Sequence, residues 1–445
     1  MGNIHLLTTK YNQRTPRYTS YPPVPLWNGA PSTDNWLEHI SDSLTENPSQ
    51  GIALYVHLPF CENLCTYCGC NKRITKNHAV ERPYIDSVIA EWKLYRAHLP
   101  NVLNVAELHL GGGTPTFFSA SELRRLVETI LEDTVAVGNG WSVEVHPNHT
   151  SQEQLETLFE LGFRRISIGV QSLDPKVQFL INRIQPIEQV QHISNMAREI
   201  GFTSVNMDIL YGLPHQTVEK AKKDIQAIVQ LRPDRIAYYG YAHVPWKAKG
   251  QRRYTETDLP DVGERVQSAT VGRNLLIEAG YQPIGMDHYA LPGDDLVTAK
   301  NNGTLHRNFM GYTEQHTDLL IGLGASSISE SPLGYRQNEK EIEAFQESLH
   351  HGKIPTIAGH TFSQEDLVVR KVILELMCFM QTEIPFELHP EQWEMLHDLA
   401  NDGIISLENN HITIAEDYVM FVRSVCAAID PKNVSGTTAM FGQNL

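Results

Sequence analysis

Between residues 50 and 245, short β-rich runs alternate with amphipathic helical patterns. The runs are Ile52–Leu58, Ala106–Leu110, Ser142–Val145, Arg165–Val170, Val205–Tyr211 and Arg235–Tyr241. Between them lie stretches with helical apolar spacing, such as Pro83–His98, Ser121–Leu131, Ser151–Leu161 and Val218–Gln230. Thr217 begins a helix-start pattern, while Gly162 and Gly201 stand where helices should stop. Strands alternating with helices predict βα units around a parallel sheet, an α/β fold. Six units make an incomplete barrel, a partial (β/α)6 TIM-like barrel, not a closed eight-strand one. No internal repeat or low-complexity tract interrupts it.

Past residue 250 the alternation weakens. Helical patterns at Val262–Ala279 and Asn338–His350 flank two polar stretches, Gly285–Tyr289 and His306–Phe309. From residue 360 onward, Gln364–Cys378 and Glu391–Asp402 precede a short β-like pair, Ile404–Leu407 and His411–Ile414. A last helix is expected over Glu416–Ala428. This segment reads as a mostly helical C-terminal domain of winged-helix type; lacking a basic face, it is expected to cap the barrel mouth. The resulting divisions are an N-terminal substrate-covering segment 1–35, a barrel 36–290, a connecting and covering segment 291–360, and a C-terminal domain 361–445.

Polar and glycine-rich residues recur just past the strand ends, at Pro59-Phe60-Cys61, Gly111–Thr116, Glu144–Pro147, Gln171-Ser172, Gly212–Pro214 and Tyr241–His243. In βα barrels that end carries the active site. The formal charge of −16 opposes nonspecific nucleic-acid binding. No apolar run reaches membrane-span length and no secretion signal opens the chain, so a cytoplasmic setting is expected. Charge distribution adds more than its sum. The first acidic residue is Asp34, leaving Lys10, Arg14 and Arg17 uncompensated, and a second basic run, Lys72-Arg73 with Lys76, follows the cysteines. Both suggest an anionic substrate, although a solvated turn and a frayed terminus would look the same.

Four of the six cysteines fall in Cys61-Glu-Asn-Leu-Cys65-Thr-Tyr-Cys68-Gly-Cys70. The spacing C-x3-C-x2-C suits a [4Fe–4S] cluster held by three thiolates, which leaves one iron open for chemistry. A structural zinc site would want a second knuckle, and the isolated Cys378 and Cys426 look like packing residues. A redox pair, Cys65 with Cys68, lacks a thioredoxin-like context. Cys70 is left as a non-ligand. Among the other strand-end residues, Gly111–Pro115 can present bare backbone to a ligand or form a plain tight turn; no G-K-[ST] follows, which excludes a phosphate loop. Glu144 can accept from ribose hydroxyls or pair with an ammonium group. Asp208 lies in an apolar strand and needs a partner, for which Arg183 is the candidate unless Arg183 grips a carboxylate instead.

The cysteine motif with Tyr67 before its third thiol resembles the radical S-adenosylmethionine (SAM) enzymes. In those, SAM chelates the open iron and yields a 5′-deoxyadenosyl radical. A wider set of motifs resembles the oxygen-independent coproporphyrinogen III oxidase family. These are Pro16–Pro22, Tyr55–Cys61, Cys68–Lys72, Gly111–Thr116, Gly169–Gln171, Asn182-Arg183, Tyr211–Pro214, Gly285–His288 and Leu305–Phe309. The resemblance implies that Cys61, Cys65 and Cys68 ligate the cluster. It implies that Tyr55, Tyr67, Gly112, Glu144 and Ile328 contact the SAM on the cluster. Gly113, Thr114, Gln171, Arg183, Asp208 and Ala242 would contact a second SAM. It further implies a monomer that converts two propionates of coproporphyrinogen III to vinyl groups, with an electron donor such as a flavodoxin or ferredoxin. Residues 1–33 are expected to fold over the barrel mouth, where Arg14, Arg17 or Lys10 would hold propionates.

Two positions depart from the family's pattern. His146 stands where Asp is usual, and Met310 follows Phe309 where several members carry Gln. Two other readings use the same scaffold: a haem-binding chaperone, and another radical SAM enzyme acting on a tetrapyrrole. The Cys-Gly-Cys-Asn ending and the Pro16–Pro22 stretch set the chain apart from the chaperones.

Overall fold

A computed structural model describes residues 2–138 and 140–433, so part of the expected C-terminal domain, residues 434–445, lies outside the described residues. The parallel strands are β1 (Ile52–Leu58), β2 (Leu103–Gly112), β3 (Ser142–Val145), β4 (Arg165–Gln171), β5 (Ser204–Tyr211) and β6 (Arg235–Gly240). Then follow β7 (Gln282–Ile284), β8 (His288–Ala290), β9 (Leu320–Leu323), β10 (Ile328–Ser331), β11 (Gly334–Asn338) and β12 (Thr356–Thr361). The sheet order is β7-β8-β6-β5-β4-β3-β2-β1-β9-β10-β11-β12. From β6 to β9 every pairing is parallel, and the flanking pairings are antiparallel. The six expected parallel strands are all present, and β9 adds a seventh beside β1. Edge strands β7 and β12 do not pair with each other, so the barrel stays open.

The strands alternate. Leu54, Val56, Leu108, Leu110, Val143, Val145, Ile166, Ile168, Val205 and Met207 enter one core with the surrounding helices. The residues that alternate with them, Tyr55 and His57, His109, Ser142 and Glu144, Ser167, Asn206 and Asp208, share the opposite face. Helix Gln152–Glu160 starts in a capping box between Ser151 and Gln154, as its sequence suggests. Helix Ile187–Ile200 ends at Gly201, whose φ of +117° favours glycine.

Several expectations change. Asn338 is the last residue of β11, and the helix expected from it begins at Ile342. Strands β9–β12 carry the sheet to Thr361, well past the division placed at residue 290. The last expected helix is broken: a 3₁₀ turn at Glu416–Phe421 precedes an α-helix at Val422–Ile429. Residue Lys10 is held by Asp402 at 2.8 Å and Asp398 at 3.4 Å, so it serves the C-terminal domain and does not face the barrel. The N-terminal helix Gly2–Tyr11 buries Leu7 and Tyr11 in that domain's core, joined there by Tyr18 and Tyr21. Tyr18 and Tyr21 each donate to Asp430 at 3.0 Å.

Glu91, on helix Glu81–Arg96, ties that helix to β9–β11: it accepts from Gly324 N–H at 2.7 Å and from Asn338 Nδ2 at 2.6 Å. Burial pushes its carboxyl up to about 8 despite both hydrogen bonds. The folded chain therefore holds a proton that the unfolded chain lacks between about pH 4.5 and 8. This contribution to stability is complete below that window and is lost as pH rises through it. The unfolding midpoint, followed by circular dichroism, should fall across the window, and more shallowly in Glu91→Gln.

Candidate active site

The polar ends of β1–β6 surround the cysteine loop. Its base is closed by parallel pairing of Phe60-Cys61 with Arg73-Ile74. Its middle is buttressed from residues 180–182: Thr66 N–H donates to Ile181 O at 2.9 Å, Thr66 Oγ1 to Leu180 O at 3.1 Å, and Asn182 Nδ2 to Leu64 O at 2.8 Å. Lys72 Nζ donates to the carbonyls of Cys68 (3.0 Å) and Cys70 (3.2 Å). The second basic run thus braces the loop, and Arg73 is taken by Glu343 at 2.9 Å.

Each of the three motif cysteines has a distinct neighbour. Thr114 Oγ1 donates to Cys61 Sγ at 3.3 Å, and Arg183 Nη1 to Cys65 Sγ at 3.6 Å. Cys70 donates to Cys68, which with the charge of Lys72 holds the Cys68 thiol down to about 6. Burial pushes Cys61 up to about 11. Soft thiol donors on one braced loop fit an iron–sulfur cluster. Among the described residues no group of three or more His, Cys, Asp or Glu side chains is arranged to hold a single metal ion.

Beside the loop, the Tyr55 ring stacks on His109 with centroids 5.8 Å apart. His109 hydrogen-bonds Ser142 Oγ at 2.7 Å through Nδ1 and reaches Glu144 Oε1 at 3.5 Å through Nε2. Gly112 N–H donates to Glu144 Oε2 at 3.1 Å. Burial alone would raise the Glu144 carboxyl, but His109 and the Gly112 amide hold it below its ordinary value. Asp208 behaves oppositely: burial, with the charge of Glu144 nearby, raises it. Its partners are Ser167 Oγ (3.1 Å) and Asn206 Nδ2 (2.8 Å). Arg183, expected as the partner of Asp208, instead donates to Gly169 O and to Cys65, and its buried Nε has no acceptor.

The glycine loop uses part of its backbone within the fold. Gly113 and Thr114 N–H groups are taken by Leu58 O (2.9 Å) and Phe60 O (3.0 Å), so they do not await a ligand. A Cβ on Gly113 would stand 2.6 Å from the Pro59 carbonyl carbon, which makes the glycine necessary for β2 to pass the cysteine loop. On Gly112, at φ +111°, a Cβ would lie 2.5 Å from His57 Cε1. Gly112→Ala should therefore displace His57 and Tyr55, at a local cost of about 2–5 kcal/mol for strain and overpacking together. Calorimetry should register a lower unfolding midpoint.

Gln171 is buried at φ +70° at the end of β4. Gln251 Nε2 joins the two sides of the site, donating to Tyr67 O at 2.7 Å and Ala242 O at 3.2 Å. Ile328, on β10, backs against Gly322. Arg14 is exposed. The sequence reading missed His57, His109, Ser142 and Gln251, although His57 lay inside a quoted motif.

It also missed two arginines near the mouth. Arg265 Nη2 donates to Tyr241 O at 3.0 Å, and Arg307 Nη1 to Tyr18 O at 3.4 Å. The Nε of each is buried with no hydrogen-bond partner. Burial, aided by the charge of exposed Arg17, lowers Arg265, and burial with Arg17 pushes Arg423 down to about 10. Arg423 holds the N-terminal arm through Thr15 O (2.8 Å) and Pro16 O (3.0 Å). Guanidinium groups stay charged in proteins, so cations buried this close together are suited to an anion.

Residues 55–228 match the Radical SAM superfamily. The chain is 37% identical over 441 residues to the oxygen-independent coproporphyrinogen III oxidase of Pseudomonas aeruginosa, covering 95% of each. It is 39% identical over 398 residues to that of Paracoccus denitrificans, covering 88% of this chain and 86% of the relative. The solved structure of coproporphyrinogen III oxidase from Escherichia coli, described as a radical SAM enzyme, superposes with a TM-score of 0.88 at 33% identity, covering 96% of this chain and 98% of that one.

Proposed function

The chain belongs to the oxygen-independent coproporphyrinogen III oxidase family of the radical SAM superfamily, and from that premise we propose that it oxidatively decarboxylates coproporphyrinogen III in anaerobic haem biosynthesis. Membership implies a [4Fe–4S] cluster and SAM. Bound together, these supply one-electron hydrogen-abstraction chemistry. Per propionate, the substrate loses one hydrogen atom from the β-carbon, then CO2 and one electron, which passes to an external one-electron acceptor, leaving a vinyl group.

The residues divide the work. Cys61, Cys65 and Cys68 would hold the cluster, with Thr114, Arg183 and Cys70 donating to their sulfurs. Tyr55, Tyr67, Gly112, Glu144 and Ile328 would line one SAM. Glu144, kept ionised by His109, suits a ribose or an ammonium group. Gly113, Thr114, Gln171, Arg183, Asp208 and Ala242 would line a second, with the free Nε of Arg183 offering a carboxylate one donor.

The observation that carries the substrate is the arginine cluster. On a chain of formal charge −16, Arg17, Arg265 and Arg307 gather at the mouth with two buried, unpartnered Nε donors. A tetracarboxylate supplies the missing acceptors. A monomer in a cytoplasmic setting completes the proposal, and the unpaired cysteines suit a reducing compartment.

Anaerobic incubation with SAM, reductant and coproporphyrinogen III tests it by product mass. Loss of CO2 and two hydrogens at each of two side chains is the expected result. Haem binding without vinyl formation would point to the chaperone, and gain of a methyl group to a different tetrapyrrole enzyme.

A further inference from the structure

Four large apolar side chains left in solvent surround the cysteine loop: Leu64 is 37% exposed, Phe179 61%, Ile184 62% and Trp246 53%. They are joined through the backbone that braces the loop. Asn182 binds the Leu64 carbonyl, and Leu64 Cδ2 lies 3.6 Å from where a Cβ on Gly250 would stand. The Arg253 guanidinium sits over the Phe179 ring, 5.6 Å from its centroid. Arg252 Nε donates to Pro245 O at 3.1 Å, beside Trp246.

The charge of this collar opposes that of the whole chain. Residues 244–254 carry Lys247, Lys249, Arg252 and Arg253 and no acidic residue. All four are exposed, and none has a carboxylate partner among the described residues. Of the nearby carboxylates, Asp174 is paired with Lys220 (3.1 Å), Glu62 stands by His78 (3.8 Å) and His149 (3.5 Å), and exposed Glu256 follows the cationic run. Exposed aromatic and aliphatic groups rimmed by arginine and lysine mark a protein-docking face. A solvated helix face would keep its cations near carboxylates and its apolar groups inside.

We propose that this collar docks an acidic, low-potential one-electron carrier protein, which reduces the centre held by Cys61, Cys65 and Cys68. This rests on the function proposed above, whose chemistry needs an electron from outside. Electron transfer weakens steeply with distance, and Leu64 is the exposed neighbour of Cys65, so a carrier seated there lies beside the cysteine loop. The carrier is oxidised by one electron, the centre is reduced by one, and no proton need move. Electron-transfer encounters are small and weak, and opposite charge speeds them while leaving them salt-sensitive. The apolar centre favours a folded protein over a nucleic acid, whose phosphates would engage the cations alone.

The test uses the full holoenzyme and a flavodoxin as probe. Calorimetric titration with the oxidised flavodoxin should give binding that weakens with added salt. In the triple variant Lys249→Glu, Arg252→Glu, Arg253→Glu, affinity should fall at least about tenfold. Turnover driven by reduced flavodoxin should fall with it, while turnover driven by dithionite should not change. The milder pair Lys247→Ala, Lys249→Ala should shift affinity in the same direction if the triple variant folds poorly. Equal affinity and equal flavodoxin-driven turnover in these variants would overturn the docking face, as would preferential binding of RNA or self-association through it. A failure of dithionite-driven turnover in the unaltered protein would instead overturn the proposed function.

Discussion

Cys65→Ala is expected to abolish SAM cleavage and vinyl formation, whereas Cys70→Ala should keep both. The two thiols stand in one ten-residue loop, yet their surroundings differ. Cys65 is aimed at Arg183, whose guanidinium would compensate the negative charge of a ligating sulfur. Cys70 instead donates to Cys68, an interaction that favours the thiolate of its neighbour and keeps its own proton. With Cys65 gone, the brace at Thr66 and Asn182 still holds the middle of the loop, so the variant removes a ligand without releasing the loop. Iron and sulfide content after anaerobic purification, with 5′-deoxyadenosine release, gives the readout. Cys65→Ala with full iron content and normal release would mean that the third ligand lies elsewhere.

Sequence alone reached the barrel but not its second flank, for a physical reason. Strands Ile52–Leu58 and Ser142–Val145 were read to the residue because their apolar positions alternate. Strand β11 reads Gly-Tyr-Arg-Gln-Asn and is buried throughout, so it has no apolar pattern to find. Its polarity is satisfied from afar: Arg336 by Pro31 O and Thr33 Oγ1, each at 3.0 Å, and Asn338 by Glu91. Distant partners also explain Lys10, whose isolation from acids along the chain hid an ion pair with Asp402, 392 residues on. At the site, the cysteine triplet was legible because its spacing is local. Arg265 was not, since its place beside Tyr241 follows from packing of a helix against β5 and β6.

Arg265→Ala and Arg307→Ala should each weaken binding of coproporphyrin III, a porphyrin bearing the same four carboxylates, by about 2 kcal/mol, roughly 30-fold. Both guanidiniums already hold a backbone carbonyl, at Tyr241 and Tyr18, which fixes their planes while leaving Nε without an acceptor. A propionate arriving there forms a charge-assisted hydrogen bond without first disrupting an ion pair. Arg307 is further seated over the Tyr312 ring, 5.1 Å from its centroid, so little side-chain freedom is lost on binding. Exposed Arg17 should cost less when removed, because solvent screens its contribution. Lys10→Ala should leave affinity unchanged and lower only the unfolding midpoint, since its partners are Asp398 and Asp402. Fluorescence titration of the porphyrin measures each affinity, and SAM cleavage without substrate shows whether the cluster side of the site is intact. Unchanged affinity in both Arg265→Ala and Arg307→Ala would place the propionates elsewhere, because these groups would then have gone on lacking an anion even with substrate bound.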